Sequence, residues 1–222
     1  REIIAHTFGM IGLIDDNVGR VLDALEDEGL RENTVVVFMS DHGDMLGDHW
    51  LLNKGPFHFE GLLHVPLVVS WPGHFPQGVR TTALTSHLDF APTILDLCGV
   101  SIPEGRRPPE PEAPHAPPPW PGHSLVPILN EQATSVRGAA VVENDEDYLG
   151  LRLRTLITDR WKLTTYAGQQ FGELFDLGED PGELHNRWSD PAYQGLRDDL
   201  RLSLLDELVL TDSALPRRLA HA

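Results

Sequence analysis

The chain has 222 residues, enough for one large domain or two small ones, and its 41% hydrophobic content suits a normal core. Its formal net charge of -17 disfavours binding to nucleic acid phosphates or to anionic membranes. The single cysteine, Cys98, excludes an intramolecular disulfide and a zinc site built from several thiolates. No apolar run reaches the ~18–20 residues of a membrane-spanning helix, and the first residues lack the basic-then-apolar pattern of a signal peptide.

The first predicted elements are an amphipathic helix over residues 9–29 and a strand over residues 34–39. Apolar residues recur along the helix at three- and four-residue steps, and Gly29 is a plausible stop. The strand is an unbroken apolar and largely β-branched run, which is typical of a strand buried on both faces of a sheet. Helix, short connection and buried strand predict an αβ unit of a parallel or mixed sheet.

The polar residues directly after this strand are the strongest candidate site. Ligands of open α/β sheets bind at the carboxyl ends of strands. Asp41 and His42 lie there, a carboxylate beside an imidazole, and this pair suits a divalent metal. The same pair also occurs as turn formers after strands. Because calcium, magnesium and manganese need about six or more ligands, the others would come from distant parts of the fold or from sequence outside this chain.

The irregular passage that follows contains further candidates. Lys54 lies among large apolar residues, which favours partial burial and a positive charge near an anion, whereas most lysines are plain surface residues. For Asp48 and His49, positioning of the site and ordinary loop structure are equally good explanations. No G-x-S-x-G elbow, P-loop or G-x-G-x-x-G motif is present, so the sequence contains a metal and anion half-site without an obvious nucleophile.

The rest of the chain predicts a strand over 65–70, a short strand over 82–86, and a helix over 89–98 with Asp89 as its N-cap and Gly99 as its stop. Residues 101–122 hold nine prolines and form an excursion or linker, ordered or disordered. The last part predicts a hairpin turn at 159–160, a helix over 191–210, and strands over 139–143, 151–158, 161–166 and 171–176.

Several of these segments, in order along the chain, resemble the sulfatase family of the alkaline-phosphatase superfamily. The matching text includes LIDDNVGR at 13–20, NTVVVFMSDHGD at 33–44, LGDH at 46–49 followed by Lys54, VPLVV at 65–69, and ELFD with DPGE at 173–183. The resemblance covers nearly the whole chain apart from the proline-rich segment, and corresponds to the C-terminal half of such an enzyme. It implies an α/β fold, part of an alkaline-phosphatase-like mixed sheet with flanking helices, followed by a small α+β subdomain with an antiparallel sheet.

The resemblance also implies an organisation into three regions. Residues 1–100 would be the C-terminal part of the catalytic α/β domain, residues 101–122 the proline-rich linker, and residues 123–222 the small antiparallel subdomain. A soluble bacterial-type protein of the cytoplasm or periplasm is expected, with a small-molecule sulfate ester as its partner and with neither nucleic acid nor membrane.

The activity implied is metal-dependent hydrolysis of a sulfate ester. Asp41 and His42 match the metal-ligand pair of the family, and Lys54 matches a lysine that contacts the sulfate and its bridging oxygen. We add His49 as a predicted substrate-binding residue. Calcium is the expected metal, with manganese or magnesium as alternatives. The formylglycine nucleophile of the family is expected in the N-terminal half, outside this chain, because Cys98 stands in no matching motif.

Two alternatives remain open. His64 stands where an arginine is common, and the proline-rich segment is unusually long, so the substrate is less constrained than the fold. One alternative is a phosphonate monoester or phosphodiester hydrolase of the same superfamily. The other is a non-catalytic, truncated homologue. We expect the 222-residue chain by itself to be inactive.

Overall fold

The structure, a computed structural model, describes residues 2–101, 121–146 and 149–211. The chain divides into two compact units, one formed by residues up to Thr81 together with Leu129–Gln132, and the other by residues Thr82–Ile128 and those from Ala133 onwards. The helices are α1 (Glu2–Asp27), α2 (Glu60–Leu63), α3 (Phe90–Leu97), α4 (Val126–Leu129) and α5 (Gln194–Thr211). The strands are β1 (Val36–Met39), β2 (Leu67–Ser70), β3 (Ala140–Glu146), β4 (Leu151–Ile157), β5 (Trp161–Tyr166) and β6 (Gly172–Asp176).

In the first unit, α1 leads into a two-stranded ladder. The helix is longer than predicted because it begins at Glu2, and Gly29 follows it with a left-handed φ of 66°. β1 pairs antiparallel with β2, so that Val36 faces Ser70 and Met39 faces Leu67. The prediction that β1 is buried on both faces is wrong for the described residues, since Phe38 is 37% exposed. No third strand of the described ranges pairs with this ladder.

The passage between β1 and β2 is irregular, as predicted. It contains one short 3-10 turn at Asp48–Trp50 and the single-turn helix α2. Residues 65–70 form β2 as expected, although the strand begins only at Leu67 after Pro66. This passage carries the candidate site residues, so its backbone decides how they meet.

The second unit begins with a capped helix rather than with the predicted strand over 82–86. Ser86 is the N-cap of a 3-10 turn: its hydroxyl accepts a hydrogen bond from the N–H of Leu88, and the Asp89 carboxylate accepts one from the N–H of Ser86. Asp89 is the N-cap residue of α3, as predicted, but its side chain makes no capping hydrogen bond to that helix. Asp89 is fully buried and pairs with Arg137. Gly99 ends α3 with a φ of 67°, as predicted.

The four-stranded antiparallel sheet of the second unit has the order β3-β4-β5-β6. Each predicted strand is present, and the hairpin between β4 and β5 closes where the N–H of Thr158 donates to the carbonyl of Trp161. One face packs against α5 and the segment before it. The core comprises Leu156, Leu163, Leu174, Trp188, Leu200 and Leu204. Burial of each leucine contributes about 1.5–3 kcal/mol, which explains the apolar spacing of this helix and sheet.

The opposite face of the same sheet is polar but also buried. Because successive side chains of a strand alternate between faces, Lys162 and Thr164 lie opposite to Leu163. The hydroxyls of Thr155 and Thr164 lie 2.7 Å apart, and the Lys162 ammonium lies 2.7 Å from a Glu183 carboxylate oxygen. Within the described ranges, no helix is long and apolar enough to cross a membrane.

Candidate functional site

Asp41 and His42 directly follow β1, and short local hydrogen bonds fix them. The Ser40 hydroxyl donates to the carbonyl of His42 at 2.9 Å, and the N–H of His42 donates to the Asp41 carboxylate at 3.0 Å. These bonds place the imidazole Nε2 of His42 at 3.6 Å from the other Asp41 oxygen. The Asp41 side chain is 86% exposed and that of His42 is 43% exposed, so both are accessible to a ligand within the first unit.

The imidazole of His42 is oriented by a backbone carbonyl. Its Nδ1 lies 2.8 Å from the oxygen of Gly43. Because a carbonyl oxygen can only accept, Nδ1 carries the hydrogen in this bond, and the neutral ring then has a lone pair on Nε2. A carbonyl partner on the other ring nitrogen is the usual support of a metal-binding histidine.

Lys54 joins this pair from the far end of the loop. Its ammonium lies 3.1 Å from the Nε2 of His42 and donates to that lone pair. The structure therefore brings together three of the four residues singled out from the sequence, Asp41, His42 and Lys54. The lysine and the histidine come from the two ends of one loop. Their contact is a tertiary feature that their spacing in the sequence did not predict.

The electrostatics of the site keep Asp41 ionised. The backbone N–H of His42 is the main cause that lowers the pKa of the Asp41 carboxyl below its usual value, followed by the electrostatic effect of the nearby His42 ring, while burial opposes them. Lys54 adds a small effect in the same direction. An anionic carboxylate and a free imidazole nitrogen are the donor types that a divalent cation takes.

The donor set fits half of a metal site. Among the described residues, no group of three or more histidine, cysteine, aspartate or glutamate side chains is arranged to hold a metal ion. Asp41 and His42 are two side chains of the types a divalent metal takes, and a complete shell would need further ligands. Asp44 is engaged elsewhere, since its carboxylate accepts a hydrogen bond from the N–H of Leu46.

His49 is placed differently from the other three candidates. Its ring stacks on Phe59 with 3.8 Å between ring centroids, and its backbone is left-handed with a φ of 50°. Its described contact is therefore with the loop rather than with the Asp41, His42 and Lys54 group. The carboxylate of Asp48 lies close to Gly61, since a Cβ atom added to Gly61 would be 3.5 Å from one of its oxygens.

One feature of the site was not anticipated from the sequence, the close approach of two backbone segments behind it. The N–H of Gly43 donates to the carbonyl of Leu62 at 2.9 Å. A Cβ atom added to Gly43 would overlap the carbonyl oxygen of Gly61. Glycine is needed here because the backbone of another segment of the chain lies directly against it. The glycine itself was visible in the sequence, but nothing local indicated which segment it would face.

A carboxylate–imidazole–lysine group at the end of a strand, in an α/β unit followed by a small antiparallel α+β unit, defines an alkaline-phosphatase-like fold. Residues 2–100 match the family model described as sulfatase, and residues 112–209 match the model described as N-sulphoglucosamine sulphohydrolase, C-terminal. The chain belongs to the sulfatase family of the alkaline-phosphatase superfamily, which confirms the resemblance and the predicted fold class.

Individual relatives agree with this assignment. The choline-sulfatase of Rhizobium meliloti is 36% identical over 83% of this chain and 33% of its own length. A solved structure of a protein in complex with its substrate, D-glucosamine-2-N,6-O-disulfate, has a TM-score of 0.77 and 27% identity over 90% of this chain and 39% of its own. The phosphonate monoester hydrolase of Agrobacterium radiobacter has a TM-score of 0.76 and 32% identity, over 90% of this chain and 40% of its own.

The length of the match is also informative. The chain spans 33–40% of the length of three curated relatives that it matches.

Proposed function

We propose that this chain forms the metal- and sulfate-binding part of a sulfuric ester hydrolase that acts on a small-molecule sulfate ester. The observation that carries the proposal is the environment of the His42 ring. Its Nδ1 is bonded to a backbone carbonyl, while its Nε2 lies 3.6 Å from the Asp41 carboxylate and 3.1 Å from the Lys54 ammonium. Membership of the sulfatase family supports the same reaction class.

Asp41 and His42 are the residues that would hold the metal, with calcium first and manganese or magnesium as alternatives. A divalent cation bound there supplies Lewis-acid stabilisation of negative charge on the sulfate oxygens. Asp41 contributes a carboxylate that stays ionised, and the Gly43 carbonyl holds the His42 ring with its lone pair on Nε2, where a metal would replace the hydrogen bond from Lys54.

Lys54 supplies the positive charge for the substrate. Its ammonium lies beside the metal-binding nitrogen, so an anion held by the pair is within its field. In the proposed reaction it binds the sulfate and stabilises the charge that develops on the leaving oxygen. His49 is kept as a proposed substrate-binding residue, and its stacking on Phe59 fixes the loop that carries it. The nucleophile, proposed to be a formylglycine as in sulfatases, would come from residues outside this chain.

The test is hydrolysis of 4-nitrophenyl sulfate by the protein at its full natural length, after chelation and reconstitution with calcium, manganese or magnesium. Lys54→Ala should lower kcat/KM by about 10²–10³-fold, the usual effect of removing one charge-stabilising donor. Asp41→Asn should weaken metal binding, measured by calorimetry. His185→Gln is the matched control, because His185 is exposed and lies in the second unit. Full activity of Lys54→Ala would overturn the proposal.

A phosphonate monoester hydrolase is the second candidate, supported by the similarity to the Agrobacterium radiobacter enzyme. The same half-site would bind a phosphonate oxyanion as readily as a sulfate. Comparing kcat/KM for phenyl methylphosphonate and 4-nitrophenyl sulfate separates the two. A preference of more than tenfold for the phosphonate would replace the first candidate with the second.

A further inference from the structure

Trp50 is the least expected residue in the loop that joins the candidate metal pair to Lys54. Its side chain is 99% exposed, and its backbone is left-handed with a φ of 63°. Tryptophan is highly buried on average, and the left-handed region favours glycine. Both features oppose folding stability, so packing among the described residues does not explain a tryptophan here. Backbone outliers of this kind cluster at functional sites.

The exposure of Trp50 is not a consequence of a loose loop, because the residues around it are fixed. Met45 is 1% exposed, and the ring of His49 is stacked on Phe59. The N–H of Gly47 donates to the carbonyl of Leu51, and the N–H of Trp50 donates to the carbonyl of Gly47. The consecutive left-handed residues His49 and Trp50 thus direct the imidazole onto Phe59 and leave the indole in solvent.

Trp50 belongs to the same loop as the proposed site. Lys54 comes four positions after Trp50, so their Cα atoms are at most about 14 Å apart. The Lys54 ammonium in turn lies 3.1 Å from His42. This upper bound puts Trp50 in the same part of the loop as the group proposed to hold the sulfate. Leu52, which is 58% exposed, adds apolar surface between them in sequence.

We propose that Trp50 is a specificity-determining residue that stacks on the ring of the alcohol portion of the substrate. The preferred substrates are then sulfate esters of ring-bearing alcohols rather than of short alkyl alcohols. This inference rests on the proposed sulfatase function. The flat face of an indole packs on an arene or on the C–H face of a sugar ring, and one such aromatic contact is worth about 2- to 13-fold in affinity.

The test measures kcat/KM for three substrates, 4-nitrophenyl sulfate, glucosamine 6-sulfate and ethyl sulfate, in the protein at its full natural length. Trp50→Gly should lower the value about 2- to 13-fold for at least one ring-bearing substrate and leave ethyl sulfate within about twofold. Trp50→Phe should retain most of the preference. A loss confined to the aryl or to the sugar ester identifies which ring is recognised. The control Phe171→Ala, which removes an aromatic side chain that is 55% exposed in the second unit, should change none of the ratios.

Two results would overturn the proposal. Equal losses on all three substrates would show that Trp50 acts through the loop backbone, and no loss on any would show that it makes no substrate contact. Wild-type turnover of the sulfates tests the proposed function, whereas the ratios between variants test Trp50, so the two failures are separate.

Thermal unfolding supplies a readout that does not depend on activity. Trp50→Gly places glycine, which adopts a positive φ without strain, at this left-handed position. The Tm of the variant should therefore stay within about 2 °C of wild type or rise. A fall of more than about 5 °C would show that another part of the protein covers the indole, which also overturns the proposal.

Discussion

Replacing Lys162 by methionine should destabilise the second unit strongly. The Lys162 ammonium lies 2.7 Å from a Glu183 carboxylate oxygen, and both side chains are 1% exposed. Removing one member of a buried ion pair leaves the other charge without its counter-ion, at a cost of about 3–5 kcal/mol. For a chain of this size each kcal/mol lowers the Tm by roughly 2–4 °C, so the expected fall is about 6–20 °C.

The assay is thermal and urea unfolding followed by circular dichroism and by tryptophan fluorescence. Arg201→Met is the matched control, because its guanidinium is 55% exposed and 3.9 Å from Asp198. An exposed pair of this kind contributes at most about 1 kcal/mol. The double variant Lys162→Met with Glu183→Gln should recover much of the loss, because it no longer buries an unpaired charge.

A Lys162→Met variant as stable as the Arg201→Met control would refute this reasoning. So would a double variant whose loss equals the sum of the two single losses, since neighbours that share one interaction are not additive.

Three further predictions concern the site and the dependence of stability on pH. Gly43→Ala should weaken calcium binding at least tenfold in calorimetry, because the added Cβ would overlap the carbonyl oxygen of Gly61. The control Gly9→Ala has open space around it and should leave calcium binding unchanged. Equal calcium binding by the two variants would contradict this prediction. Burial raises the pKa of Glu173 above 4.5, so the stability linked to its proton is present below pH 4.5 and is lost as pH rises through the folded pKa. In urea unfolding at several pH values, the free energy of unfolding of Glu173→Gln should fall less over this range than that of the wild type. Arg160 lowers the pKa of Asp176 below 3.8, so the contribution of the ionised carboxylate to folding stability is present above pH 3.8 and is lost as pH falls through the folded pKa. Asp176→Asn should lower the free energy of unfolding at neutral pH and make it depend less on pH in acid. An unchanged dependence on pH in acid would count against the ion pair.

The elements of the second unit were largely predictable because their signals are local. The strand Trp161–Tyr166 has the predicted bounds, and α5 runs over most of the predicted range. Alternation with a period of two and leucines at helical spacing specify which face is buried before any partner is known. Glycine stops are local as well, since Gly29 and Gly99 both take the left-handed backbone that ends a helix.

The same local signals failed where burial depends on other segments. An unbroken apolar run predicted a strand buried on both faces, but Phe38 of β1 is 37% exposed. Asp89 holds the predicted N-cap position of α3, but its carboxylate makes no capping bond there and pairs with Arg137, far along the chain. A sequence shows that a charge is present, but the distance to its counter-ion is set by the fold.

The candidate site shows the same division. The residue types and order of Asp41, His42 and Lys54 predicted a metal and anion half-site and, with the other matching segments, indicated the family, because ligand chemistry belongs to the side chains themselves. Only the tertiary structure decided that the Lys54 ammonium lies 3.1 Å from His42, that a carbonyl orients the ring, and that the Trp50 side chain is exposed. These features depend on how the two ends of one loop meet and on which backbone angles its residues adopt. A short stretch of sequence determines neither of them.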